Sequence, residues 1–162
     1  MPQFLRFGIV IVCVVLDQIT KISAERALEL YEAIPVMPSF NIALAYNYGA
    51  AFSFLNIPGG QQRWIFTGIS FVVSILLIVW LYRLTMKEKW LSLSFALILG
   101  GAIGNLIDRA VYGYVIDFIQ VYYDKYYFPT FNIADSAIFC GTVLLLILTF
   151  FEKKPEPNAQ DE

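Results

Sequence analysis

The chain contains no histidine, has only two cysteines, and carries charge on just 15% of its 162 residues. Without histidine it can build neither a Ser-His or Cys-His nucleophilic pair nor an H-E-x-x-H zinc site. Cys13 and Cys140 each lie inside an apolar run, where a thiol behaves as a small hydrophobe, so neither a disulfide nor a metal centre is expected, and no cofactor. The net charge is −2 and no basic stretch exceeds Lys153-Lys154, which excludes a nucleic-acid footprint.

Hydrophobicity is what the chain has in excess. Apolar residues make up 59% of it and the mean hydropathy is +0.66, where a soluble domain has roughly 45–50% apolar and about 25% charged residues. A membrane protein of one domain is the expected class. Charge-free runs at residues 7–16, 64–82, 90–107 and 136–151 give four helices. The second run has 19 residues, about 30 Å at ~1.5 Å per residue, and Arg63, Trp64, Tyr82 and Arg83 bracket it as interfacial anchors. The first run has ten residues and crosses only if its helix continues through Asp17 to residue 22, so spans are expected near residues 4–22, 64–82, 90–107 and 135–151. It could instead be the core of a cleavable signal peptide, but no A-x-A-like site follows it.

Arg83, Lys87 and Lys89 lie between spans two and three, and Lys153-Lys154 follow span four, which puts both termini in the cytoplasm. Residues 1–151 then form one integral-membrane domain, and residues 152–162 a polar, disordered cytoplasmic tail. The outward connections carry extended patterns. Residues 40–48 alternate large apolar with small or polar side chains, Phe52 and Phe54 partly resume the alternation, residues 56–60 close it with turn chemistry, and residues 112–123 are again extended. Glu25, Glu29 and Glu32 recur at helical spacing, so the first helix is expected to continue or turn along the surface up to Pro35. The tyrosines at 112, 114, 122, 123, 126 and 127 read mainly as an interfacial belt. The fold class is therefore an all-α membrane protein with a small β element, four transmembrane helices and an extracytoplasmic β-cradle.

An ionisable side chain at membrane depth costs about 3 kcal/mol or more and is a functional candidate for that reason. Asp17, Asp108, Asp117 and Asp135 all fall towards the outer end of this topology. Asp135 opens span four, where it could be an ordinary N-cap. Asp117 lies in an extended apolar stretch and needs a partner, for which Asp135 is well placed. Gly100 and Gly104 form a small-xxx-small pair for close helix approach, while Asn105 and Arg109 at i and i+4 direct donors at the outer end; Asp108 and Arg109 could form a local ion pair. Two neighbouring carboxyls cannot both ionise easily, so a pair would hold one proton: its ionised member activates a water and its protonated member polarises a peptide carbonyl.

Five segments, Asp17-Gln18-x-Thr20-Lys21, Asn47-x-Gly49-Ala50-Ala51-Phe52, Gly100-Gly101-Ala102-x-Gly104-Asn105-Leu106-Ile107-Asp108-Arg109, Val115-x-Asp117-Phe118-Ile119 and Phe131-Asn132-x-Ala134-Asp135-Ser136, occur in this order. With them the chain resembles bacterial lipoprotein signal peptidase, or signal peptidase II. The resemblance implies a four-helix aspartic endopeptidase of the bacterial inner membrane that cuts prolipoproteins just before a diacylglyceryl-modified cysteine. By the same resemblance Asp117 and Asp135 are the catalytic dyad, Asn47, Asn105, Arg109 and Asn132 hold substrate or orient the dyad, and Asp17 and Asp108 are structural polar contacts. It also implies inhibition by globomycin; the chain is expected to act as a monomer on lipid-borne substrate. Two other classes are less well matched. A proton-coupled transporter needs a polar path through the bilayer, which the inner halves of the runs lack, and a scaffold would tolerate loss of either aspartate. A Ser-Lys dyad from Lys21 and Ser23 fails because i and i+2 on a helix do not face each other.

Overall fold

The computed structural model describes residues 1–49 and 62–151. Four helices, α1 (Gln3–Ala27), α2 (Gln62–Arg83), α3 (Lys89–Val111) and α4 (Ile133–Phe151), are each long and apolar enough to cross a membrane. Between them lie β1 (Ala33–Met37), β2 (Phe40–Asn47), β3 (Val115–Tyr123) and β4 (Tyr126–Tyr127), an antiparallel sheet in the order β1-β2-β3-β4. This is the expected class, four spans and a small sheet. The segments at residues 50–61 and 152–162, which include Phe52, Phe54, the expected turn at 56–60 and the polar tail, lie outside the described residues.

The helix α3 is central: 56% of its apolar stretch is buried inside the protein, against 17–22% for the other three. In lipid the hydrophobic effect does not hold helices together, and close contact of small residues takes its place. Gly100 lies against Cys13 and Val10 of α1, Gly104 against Asp17 and Ala134, and Gly101 against the Ala134 carbonyl and Ile138 of α4. The expected glycine pair is thus a three-residue face serving two helices. A Cβ at Gly101 would collide with the Ala134 carbonyl oxygen. Gly101→Ala should therefore cost about 1–3 kcal/mol through overpacking, read as a lower midpoint of thermal unfolding in detergent.

Arginines close the helix ends. Buried Arg6 donates through Nη1 to the carbonyls of Leu81 (2.7 Å) and Leu84 (2.8 Å) and through Nη2 to that of Thr85 (2.7 Å), satisfying the free carbonyls at the end of α2. At the opposite end of the bundle Arg63 donates to the carbonyls of Arg109 and Ala110, both at 2.9 Å, capping α3. Gly113 turns the chain there with φ 90°, close enough to Arg63 that a side chain would meet its guanidinium.

The expected surface helix up to Pro35 is not formed. α1 stops at Ala27, Tyr31 takes a left-handed φ of 67°, and the Glu32 carboxylate folds back to accept the Glu29 N–H at 2.8 Å. The acidic spacing belongs to a turn, after which residues 33–37 become β1, an exposed edge strand. Pro35 fits there because an edge leaves an N–H unused. β1 and β4 both escaped the sequence reading, while β2 and β3 lie within the two stretches read as extended. Tyr46 ties the sheet to α1, donating to Glu25 at 3.1 Å and stacking on Tyr114 at 4.1 Å between ring centroids. Tyr123, Tyr126 and Tyr127 are exposed, as a belt requires, but Tyr114 is half-buried in this stack.

Candidate active site

The pairing of β2 with β3 sets Ala45 opposite Asp117, which brings Asn47 of β2 to the Asp117 side chain. Asp117 is buried, and its two carboxyl oxygens divide their partners. Oδ1 accepts from Asn132 Nδ2 at 2.7 Å and Oδ2 from Asn47 Nδ2 at 3.1 Å. Asn47 is itself pinned, its Oδ1 accepting the Gly49 N–H at 2.9 Å. Burial and then the charge of Asp135 raise the Asp117 carboxyl from 3.8 to about 7, against the opposing pull of the two asparagine donors.

Asn132 precedes α4 and caps it. Its Oδ1 accepts the Asp135 N–H at 2.8 Å, while Asp17 Oδ1 accepts the Ala134 N–H at 2.8 Å, so two of the free N–H groups of the first turn are satisfied. Asp135 is therefore not the cap. It sits half-buried in the first turn, where the helix dipole favours a carboxylate, and accepts from Asn105 Nδ2 at 2.7 Å. Asn132 Nδ2 also reaches Asn105 Oδ1 at 3.2 Å. Asp117, Asn132, Asn105 and Asp135 thus form one unbroken line of side-chain hydrogen bonds, drawn from β3, α3 and the start of α4.

Beneath this line Asp17 and Asp108 share a cation, Lys21, to which the sequence reading gave no role at the site. Lys21 Nζ lies 2.8 Å from Asp17 Oδ2 and 2.9 Å from Asp108 Oδ2, with all three residues buried. Asp108 therefore pairs with Lys21, and the local ion pair with Arg109 is not formed. The signal was present: Asp17 and Lys21 stand at i and i+4, and two buried carboxylates in so apolar a chain require a positive partner. Ser23 donates to the Ile19 carbonyl at 2.7 Å and takes no part. Arg109 Nη1 is 3.4 Å from the Asn105 carbonyl and its guanidinium lies over Phe66, 5.8 Å from the ring centroid. Its Nε is buried with no hydrogen-bond partner among the described residues. Gln18, also unassigned by the sequence reading, donates to Asp108 Oδ1 at 2.8 Å and the Gly104 carbonyl at 3.2 Å.

Residues 9–151 match the family model described as signal peptidase (SPase) II. The chain belongs to the signal peptidase II family. It is 53% identical over 154 residues to the lipoprotein signal peptidase of Acinetobacter baumannii (strain ATCC 17978), covering 95% of this chain and 88% of that one. It is 49% identical over 162 residues to that of Pseudomonas aeruginosa (strain UCBPP-PA14), covering 95% and 96%. Two solved structures described as bacterial membrane enzymes, at 2.3 Å and 1.9 Å resolution, superpose with TM-scores of 0.78 and 0.79 at 31% and 30% identity, covering 94% and 91% of this chain and 93% and 94% of theirs. Membership makes the chain a membrane aspartic peptidase, a hydrolase that cleaves signal peptides from prolipoproteins in the bacterial inner membrane.

Proposed function

We propose that Asp117 and Asp135 are the catalytic dyad of this peptidase, and that it cuts a diacylglyceryl-modified prolipoprotein just before the lipidated cysteine. The observation that carries the reading is the hydrogen-bonded line joining the two carboxyls through Asn132 and Asn105. Asp117, held near 7, keeps the shared proton and donates it to the scissile carbonyl oxygen. Asp135, with its single strong donor and the helix dipole, is the ionised member that takes a proton from the attacking water. The tetrahedral intermediate collapses as the leaving amine is protonated, and no covalent intermediate forms. Arg109, whose buried Nε has no partner among the described residues, and Asn47 offer donors for the substrate backbone.

Cleavage should follow a bell-shaped pH profile whose upper limb falls above about pH 7, as the proton on Asp117 is lost. The assay is release of the lipidated product from a diacylglyceryl prolipopeptide in detergent with chelator present. A rate still rising steadily to pH 9 would remove the proton-sharing reading. The same site is proposed as the target of globomycin-type inhibitors, which would compete with substrate.

We infer that residues 1–151 form one peptidase domain and that it acts as a monomer. The N-terminal ammonium donates to the Met86 carbonyl, so the N-terminus shares an end of the bundle with Arg83, Lys87 and Lys89, opposite the sheet and the dyad. The positive-inside rule then puts both termini in the cytoplasm and the dyad near the outer face. Substrate reaches the dyad laterally between helices with its acyl chains still in the bilayer. Photo-cross-linkers along the helix faces should capture the lipidated cysteine, and their uniform failure to do so would contradict this route.

A further inference from the structure

We propose that Lys21 is a positioning residue for the dyad, acting through the Asn105 amide and never touching substrate. The inference rests on the dyad reading above and concerns what holds that dyad in register.

An ammonium has three N–H donors, and those of Lys21 are all used: on Asp17 at 2.8 Å, Asp108 at 2.9 Å and Asn105 Oδ1 at 3.0 Å. The third, together with the longer 3.2 Å donation from Asn132 Nδ2 to the same oxygen, fixes the sense of an amide. With its oxygen on the ammonium, Asn105 has only its NH2 left to offer Asp135, at 2.7 Å. A flipped Asn105 would set N–H against ammonium and oxygen against carboxylate, so the cation excludes the orientation in which Asp135 loses its donor. The charge also polarises the amide and strengthens the donation to Asp135.

The other two contacts reach the dyad through backbone. Asp17 Oδ1 holds the N–H of Ala134, the residue before Asp135, at 2.8 Å, and Asp108 Oδ2 holds the N–H of Ile116, the residue before Asp117, at 3.1 Å. One buried ammonium thereby joins the two carboxylates that anchor the two segments carrying the candidate catalytic groups, and it sets their separation. The charged and titratable groups around this hub are Asp17 and Lys21 from α1, Asp108 and Arg109 from α3, Asp117 from β3 and Asp135 from α4.

Removing Lys21 alone strands two buried carboxylates and endangers the fold. The informative comparison is Asp108→Asn against the charge-balanced Lys21→Met/Asp108→Asn, assayed per folded molecule on a diacylglyceryl prolipopeptide from pH 4 to pH 9. Relative to Asp108→Asn, the double variant should lose about tenfold or more in kcat, the scale for losing a hydrogen bond to a charged group. KM should change less than about twofold, and the acidic limb of the kcat–pH profile should move to higher pH, since a carboxylate that loses its donor is harder to ionise. Arg6→Met, which weakens the bundle far from the site, should lower the thermal midpoint and leave kcat per folded molecule and the pH midpoints in place. If the double variant matches Asp108→Asn in kcat and acidic midpoint, or loses activity only in proportion to folded protein, the positioning role is wrong. Asp135→Asn in the same assay separates the two ideas: its retention of activity would remove the dyad reading, whereas its inactivity beside an unshifted double variant would remove Lys21 alone.

Discussion

Asp117→Asn and Asp135→Asn should each lower the rate of prolipoprotein cleavage by on the order of 10³-fold, within the range that a general acid or base supplies, while the protein stays folded. Asn at 117 can keep one of the two donors, Asn132 or Asn47, on its single oxygen but carries no transferable proton, and Asn at 135 cannot accept one from water. Stability distinguishes lost chemistry from lost fold. The Asp117 carboxyl is raised from 3.8 to about 7, so the wild type is most stable below about pH 4 with respect to this group and loses that contribution as pH rises through 7. Asparagine does not titrate, so Asp117→Asn should show none of that decline and should exceed the wild type in thermal midpoint at pH 8. An inactive variant at least as stable as its parent is the expected pattern; loss of activity only in step with loss of folded protein would argue that Asp117 is structural.

Asn132 carries two functions on opposite ends of one amide, and Asn132→Asp separates them. The oxygen caps α4 through the Asp135 N–H, and a carboxylate caps as well or better at a helix N-terminus. The nitrogen supplies the 2.7 Å donor to Asp117 and the 3.2 Å link to Asn105, both of which a carboxylate replaces with an acceptor facing an acceptor. Asn132→Asp should therefore keep α4 capped yet lose about 10²-fold or more in kcat, as the line between the dyad carboxyls is cut. Asn132→Ala removes cap and donor together and should lose activity and about 1 kcal/mol or more of stability. Asn132→Asp also sets a buried carboxylate against Asp117 and loses stability for that reason, so the comparison is made per folded molecule: a similar loss of kcat in both variants would show that the amide nitrogen matters to the reaction.

The spans were legible because lipid demands long charge-free runs, and the site region because lipid makes carboxylates costly. What misled was pairing. The charge-free first run has ten residues, yet α1 extends to Ala27, since the Asp17–Lys21 pair neutralises itself against Asp108 and lets helix continue through charge. For the same reason α3 runs past Asp108 to Val111 instead of ending near residue 107. Asp108 and Arg109 are sequence neighbours, but i and i+1 point to different faces of a helix, and the partner that Asp108 finds is 87 positions away on α1. β1 and β4 were unreadable because an all-exposed edge strand containing Pro35 and a two-residue strand carry no alternation to detect. Asn132 stands ahead of an apolar run, three residues before Asp135, which is a capping signal independent of the family resemblance.

The most direct test is the titration of the two carboxyls themselves, followed by ¹³C chemical shift in protein labelled at aspartate and assigned with the Asn variants. Asp117 should titrate near pH 7 in the wild type, and its midpoint should fall in Asp135→Asn, where the neighbouring charge that helps to raise it is gone. An Asp117 midpoint in the ordinary carboxylate range near 4, or one near 7 that does not respond to Asp135→Asn, would show two independent acids and no shared proton.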